Sequence, residues 1–593
     1  MAHQALKACC SHLSKDSIPH VDDYRRGVGI SKALVDRGMV ALNTLAGTID
    51  TKSLHESETV AFLLGKLPGI IAWMSFAVQD VLSQPAYLAR KNHTRIIEGY
   101  SKSLHALIEG SESIRAELLR SAAMMVLLAE LWVYVDPSTR KVVLPTRDTD
   151  SHLIHLFGSF MDPANTSNDF LDILESSSDA FLEEFSQATV IRVHHVTQGF
   201  DGATFIQEMV LRPCFKLIFH STLRLARSKQ LRRHLMRLKH IEYCCKGLFV
   251  AAYPISSYNT SVLPMELARE LMESAVAFPR GAVEGISQLV DGRILFLMVE
   301  GLVYSQDKSF DIIAPTLQKF MSHATFRSVA LKLQLSMHTS MHMPITSKSD
   351  TLLQNQNTKV RDLWQGFLDT STMLGHAARS VTECPSICDH LLHSELAPKE
   401  VLEDPTFRSQ QCTGCQSFLY CSRECQKQDW QELHRLECPS ERTKRIRDKR
   451  SGIVLKVSTR KMLLSILNLN FNTISRDANM INSTNSVLKS ICGPAAQLNN
   501  CVFTVDMREC PPHRKFVTVT HYLTTIDSAH LIRRVQKMVD VAGENDGHAF
   551  VELVTAFGPC RVRTFGMLAQ PCRARKANKS YELLSGVSWV EES

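Results

Sequence analysis

Cys412-Thr413-Gly414-Cys415-Gln416-Ser417-Phe418-Leu419-Tyr420-Cys421-Ser422-Arg423-Glu424-Cys425-Gln426-Lys427-Gln428-Asp429-Trp430-Gln431-Glu432-Leu433-His434-Arg435-Leu436-Glu437-Cys438 packs five of the chain's seventeen cysteines, with one histidine, into a single segment. Two more, Cys384 and Cys388, lie just upstream. Cys384, Cys388, Cys412, Cys415, Cys421, Cys425, His434 and Cys438 thus form eight candidate ligands in four close pairs. Eight Cys/His donors suit two tetrahedral zinc ions.

Each local signal agrees with a small metal-organised module. Gly414 lets the backbone turn tightly between Cys412 and Cys415, so that both sulfurs can face one ion. Phe418, Leu419 and Tyr420 supply a minimal apolar core. Ser422 is a good N-cap, and no helix breaker follows it before Cys438, so a helix is expected there. Residues four apart share a helix face, which places Trp430, His434 and Cys438 on one stripe and Cys421 with Cys425 at the other end. About two turns separate the pairs, so they belong to different ions. An interleaved pairing is favoured because it ties the distant Cys384 knuckle to the rest: Cys384, Cys388, Cys421 and Cys425 on one ion, Cys412, Cys415, His434 and Cys438 on the other. Spacing alone also admits a sequential pairing.

The rest of the chain sets the context. The N-terminus lacks a secretory pattern, and no apolar run is expected to reach the roughly 18 residues that span a bilayer. An intracellular location is expected, nuclear or cytoplasmic, where thiols stay reduced and close cysteine pairs favour metal over disulfide. The remaining cysteines are scattered and read as small core residues. With 593 residues and a 44% hydrophobic fraction, the chain has enough apolar mass for several domains. A net charge of +7 is mild at this size and does not by itself call for nucleic acid. No membrane partner is expected.

Residues 1–370 read as helix after helix, with apolar residues at three- and four-residue spacing, as in Leu231, Leu235 and Leu238. A mainly α fold with an armadillo- or HEAT-like scaffold is expected from helix count, since no signature motif fixes a repeat. The segment Arg224, Arg227, Lys229, Arg232, Arg233, Arg237 and Lys239 is a basic helix, read as a solvated face because no aromatics interleave its charges. Residues 439–500 read as a basic linker with helices, opening on Arg442, Lys444, Arg445, Arg447, Lys449 and Arg450, a run that either continues the preceding helix or forms a linker. Residues 501–593 change period: 502–505, 516–520, 550–554 and 561–565 read as strands, with a helix over 529–541 and a turn at Gly558-Pro559. A small α+β unit is expected.

The eight-ligand string, with Tyr420-Cys421-Ser422, Cys425-Gln426 and Asp429-Trp430, closely resembles the MYND-type zinc finger, and the helical region before it is similar to fungal MYND-domain proteins. The resemblance covers about a tenth of the chain. It implies two interleaved structural zinc ions and a role in protein recognition, with Gln426 and Trp430 lining a groove for short proline-containing peptides. The chain departs from the pattern in its first knuckle, which has three intervening residues, and in the long interval before Cys412. His390 and His393 are close enough to substitute for Cys384 or Cys388. Some MYND fingers sit inside SET-domain lysine methyltransferases, but the helical N-terminal region and the lack of an Asn-His-Ser-Cys-like segment and a Gly-rich cofactor loop argue against that. Hydrolase, phosphate-loop and His-Glu-x-x-His motifs are also missing. The expected function is therefore a non-enzymatic zinc-binding interaction or scaffold protein, ahead of a methyltransferase or a nucleic-acid-associated regulator.

Overall fold

The computed structural model describes residues 2–26, 29–49, 54, 56–82, 93–136, 140–142, 144, 151–162, 164, 169–200, 203–252, 262–303, 307–338, 345–381, 387–391, 393, 409–476, 501–526, 529–545, 548–570 and 582–591. The chain divides into two compact units, Met1–Tyr253 and Pro254–Ser593. The single helical body expected over residues 1–370 is therefore split. Helices from Val262 to Ser380 belong with the finger and the C-terminal sheet. The reason is packing: helix Thr358–Ser380 lies against helix Val457–Arg476, and helix Asp307–His323 reaches the sheet, where His323 Nε2 meets the Gly558 carbonyl at 3.1 Å.

Among the described residues, the first unit is helical apart from a two-strand ribbon, β1 (Val135–Asp136) and β2 (Lys141–Val142). Serine and threonine start its helices: Ser111, Ser121, Ser151, Ser178, Thr204 and Ser228 each accept a hydrogen bond from a backbone N–H of the first turn. Helices run from five residues (Val21–Arg25) to 21 (Asp179–Gly199), with no common length. At one core, Trp132 stacks on Phe157 at 3.9 Å and donates its indole N–H to Thr189 Oγ1 at 2.9 Å. The basic helix, Lys229–Arg237, is neutralised locally: Arg233 pairs with Asp179 and Arg237 with Glu183.

One segment of this unit corrects the reading of apolar runs. Helix Ser57–Asp80 is long and apolar enough, by length and composition, to cross a membrane, with half of its most apolar window buried. Lys66 and Pro68 interrupt the strict run, which hid the average. Leu63, Leu67, Ile70 and Trp73 face the protein core, Trp73 Nε1 donates to the Ser14 carbonyl at 3.0 Å, and Asp80 pairs with Arg25 at 2.6 Å.

In the second unit, the finger carries a small antiparallel pair, β3 (Gln410–Gln411) and β4 (Leu419–Tyr420). The C-terminal sheet has five strands: β5 (Cys501–Asp506), β6 (His513–Thr518), β7 (His548–Phe557), β8 (Cys560–Ala569) and β9 (Glu582–Glu591), in the order β6-β5-β7-β8-β9. Only β5 and β7 pair parallel, through the crossover that contains helix Ala529–Glu544. Residues 519 and 520, expected in a strand, instead start a short helix, Val519–Leu523. The sheet is covered on both faces. Phe550, Phe565, Met567 and Trp589 pack with Val535 and Met538 of helix Ala529–Glu544. Gly566, between Phe565 and Met567 and therefore on the other face, meets Leu467 of helix Val457–Arg476. The finger lies against β9, whose Val587 packs with Phe418, Tyr420 and the finger's cysteines.

Candidate metal centre

Two buried four-donor groups lie in the finger. In the first, the ligand atoms of Cys412, Cys415, His434 and Cys438 all fall within 4.8 Å of one another. His434 Nε2 is 3.3 Å from Cys412 Sγ and 3.5 Å from Cys415 Sγ, and the Cys412 and Cys438 sulfurs are 3.9 Å apart. Zinc at about 2.3 Å from sulfur and about 2.0 Å from nitrogen gives tetrahedral edges of roughly 3.5–3.8 Å, which this set nearly matches. The close fit requires Gly414, where a Cβ would stand 2.9 Å from Cys438 Sγ.

The charge balance of this group also suits a cation. Burial pushes the Cys412 thiol up, but the N–H groups of Cys415 and Gly414, together with His434, bring it to about 7. Cys438 is pushed up to about 12, by burial and by the neighbouring Cys415 and Cys412. Converging thiolates are unfavourable without a positive ion and favourable around one. His434 Nδ1 has no hydrogen-bond partner and faces Glu437 Oε2 at 3.6 Å, the outer carboxylate often found behind a zinc-bound imidazole.

The second group is Cys388, His393, Cys421 and Cys425. His393 Nδ1 is 3.0 Å from Cys421 Sγ and 4.0 Å from Cys425 Sγ, and the two sulfurs are 3.5 Å apart. Among the described residues His393 completes this tetrad; Cys384, expected as its fourth ligand, lies outside them. The chain around Cys388 explains the choice. The Asp389 N–H donates to the Leu419 carbonyl at 2.8 Å, and its carboxylate accepts from the Leu419 N–H at 2.7 Å. Residues after Cys388 are thereby held against β4 and lead to His393 beside Cys421. His390, also considered from the sequence, is buried and acts on the Cys425 thiol but is not one of the four converging donors. The pairing is interleaved, as expected, and the two clusters fit two structural zinc ions with all four positions of each taken by protein.

Behind the metal sites is a buried ionic network that sequence reading missed. Arg534, 1% exposed on helix Ala529–Glu544, donates to Asp429 Oδ2 at 2.9 Å, to Glu437 Oε2 at 2.7 Å and to the Asp389 carbonyl at 2.7 Å. Its guanidinium also lies 4.5 Å from the Phe418 ring centroid. Tyr420 adds a 2.6 Å hydrogen bond to Asp429. Burial opposes the Glu437 charge, yet Arg534 and His434 hold its carboxyl below the usual range. Arg460 makes a second tie, donating to Asp389 Oδ1 at 2.6 Å, the Ser417 carbonyl at 3.0 Å and the Gly586 carbonyl at 3.2 Å. Asp429 and Glu437 were visible beside Trp430 and His434. Nothing local marked Arg460 or Arg534, whose partners are distant in sequence.

The helix after Ser422 is not uniform. It runs α-helical over Arg423–Asp429, takes a π turn at Trp430–His434 and resumes from Arg435 to Ser451. The basic run after Cys438, expected either to continue the helix or to form a linker, continues it, and the helix ends at Gly452 with φ +75°. The extra residue of the π turn shifts the helical phase. His434 and Cys438 point inward, while Trp430 is 40% exposed although its ring still meets His434 edge-on at 5.6 Å. Trp430 thus belongs to the surface more than to the core. It shares a shallow recess with Arg423, Glu424, Gln426 and Lys427.

No curated protein and no solved structure matches the chain. The family match is local, and it begins downstream of Cys388 and His393. Residues 403–438 match the family described as the MYND finger, so the chain carries a two-zinc finger of the MYND type, generally a protein–protein interaction module.

Proposed function

We propose that this is a non-enzymatic interaction protein whose MYND finger takes up a short proline-containing segment of a partner, with the helical body as scaffold. One observation carries the reading: Trp430 is a large aromatic, half-open to solvent, fixed on a metal-organised helix beside Gln426. A rigid aromatic of this kind is a suitable platform for an extended proline-containing chain. The filled zinc coordination supports a structural role for the metals. A reducing, intracellular setting goes with the reading, since the ligand thiols must stay free.

The test is binding of fluorescent proline-containing peptides to the zinc-loaded full chain. Trp430→Ala is expected to weaken binding at least about tenfold while leaving two zinc ions per chain, as for an aromatic anchor at an interface. Unchanged affinity would remove Trp430 from the groove and with it this reading.

A further inference from the structure

The helix that carries Trp430 sorts its charges by side. Of its carboxylates, Asp429, Glu437 and Glu441 are buried, the first two against Arg534, and Asp448 is held by Lys444 at 2.5 Å. Most of its cations go the other way, Lys444, Arg445 and Arg447 apart. Arg423, Lys427, Arg435, Arg442, Lys449 and Arg450 are all exposed, and none of them is in a salt bridge among the described residues. Only Glu424 and Glu432 are exposed acids on the same helix run. A sequence that looks like a mixed-charge helix therefore presents an almost purely positive outer face. That face also carries three large apolar side chains: Trp430 at 40%, Leu436 at 55% and Ile446 at 48% exposure.

Exposed cations left unpaired while their carboxylates are drawn inward repel one another, and an anionic partner relieves that repulsion. Apolar side chains spaced among them suit a polypeptide better than a nucleic-acid backbone, because Trp430 is the only aromatic on the run available for stacking bases. We propose that the partner segment is acidic: its proline-containing part sits at Trp430 and Gln426, and an Asp/Glu-rich continuation lies along Arg435–Arg450. The proposal rests on the peptide reading above and adds the charge of the partner and the direction it follows. The face from Arg423 to Ser451 is about 43 Å long, which an extended segment of about 13 residues would span.

The experiment uses the zinc-loaded full chain and labelled peptides that share one proline-containing core and carry an Asp/Glu, Ser or Lys tail. The acidic tail is expected to bind about tenfold tighter than the Ser tail at low salt, with the gap closing as salt rises. The triple variant Arg442→Glu, Lys449→Glu, Arg450→Glu is expected to erase the gap without changing the Ser-tailed peptide's affinity. Equal affinity for acidic and Ser tails, or a gap that survives the triple variant, overturns the proposal. Tighter binding of a DNA duplex than of the acidic peptide, lost in the triple variant, also overturns it and gives the face to nucleic acid. An acidic tail that binds without the proline core, weakened by the triple variant and untouched by Trp430→Ala, upholds the acidic partner while removing the peptide groove. Zinc content is measured for every variant, so that loss of fold is not read as loss of contact.

Discussion

The two metal clusters are built alike but were not equally visible. Cys412, Cys415, His434 and Cys438 come from 27 consecutive residues, and spacing identified all four. Cys388 and His393 belong with Cys421 and Cys425 only because Asp389 fastens its segment to β4 and Arg460. A local cluster is dictated by covalent reach. A non-local one is dictated by what the chain packs against, and spacing then offers more donors than the ion can accept.

Removing a donor from the local cluster should have the largest effect. Cys412→Ser is expected to lower zinc below two per chain and to melt the finger, since structural zinc contributes on the order of 10 kcal/mol to small modules. The damage should also reach the sheet, because Phe418, Tyr420 and the cysteines pack on Val587. Hydrogen exchange in β9 measures this, and unaltered protection there would show the two regions to be independent.

Next in size is the ionic joint. Arg534→Met leaves Asp429 and Glu437 buried without a counter-charge, an expected loss of about 3–5 kcal/mol by denaturant titration. Glu437 sets the pH sense of this joint. Its carboxyl is held below the usual range, so the stabilisation is complete above about pH 4.3 and is lost as pH falls through the depressed value. Arg534→Met should therefore move the acid-unfolding midpoint upward.

The smallest effect is expected at Cys384, and it separates the competing donors of the non-local cluster. His393→Ala is expected to cost one zinc ion, whereas Cys384→Ser should keep both and change stability by no more than about 0.5 kcal/mol. The opposite pattern would return Cys384 to the coordination sphere.

These contrasts match what the sequence could reveal elsewhere. Strands at 502–505, 550–554 and 561–565 and the helix from 529 were legible because their periodicity is local. Strand β9 drew no expectation from the sequence, where Gly586 weakens the local strand signal. Gly586 is there because a Cβ would stand 2.3 Å from Leu464 Cδ2 of the covering helix, a constraint that exists only after folding. Trp430 was legible as a residue of interest, but not its exposure, which depends on a π turn that composition does not announce. Division of the helices at residue 253 was hidden for the same reason: a helix's period does not say which core receives it.

The separation of Arg534 from the finger has a consequence for the order of events during synthesis. It follows Glu437 by 97 residues and Asp429 by 105. At roughly 5–20 residues per second, the arginine is added on the order of 5–20 s after those carboxylates. A nascent finger can collect its metals in that interval but cannot bury Asp429 and Glu437 without their counter-charge. It should pass from a zinc-loaded, loosely closed form to its final one only when helix Ala529–Glu544 is made, so chains cut short before that helix would carry zinc and still be open to proteolysis.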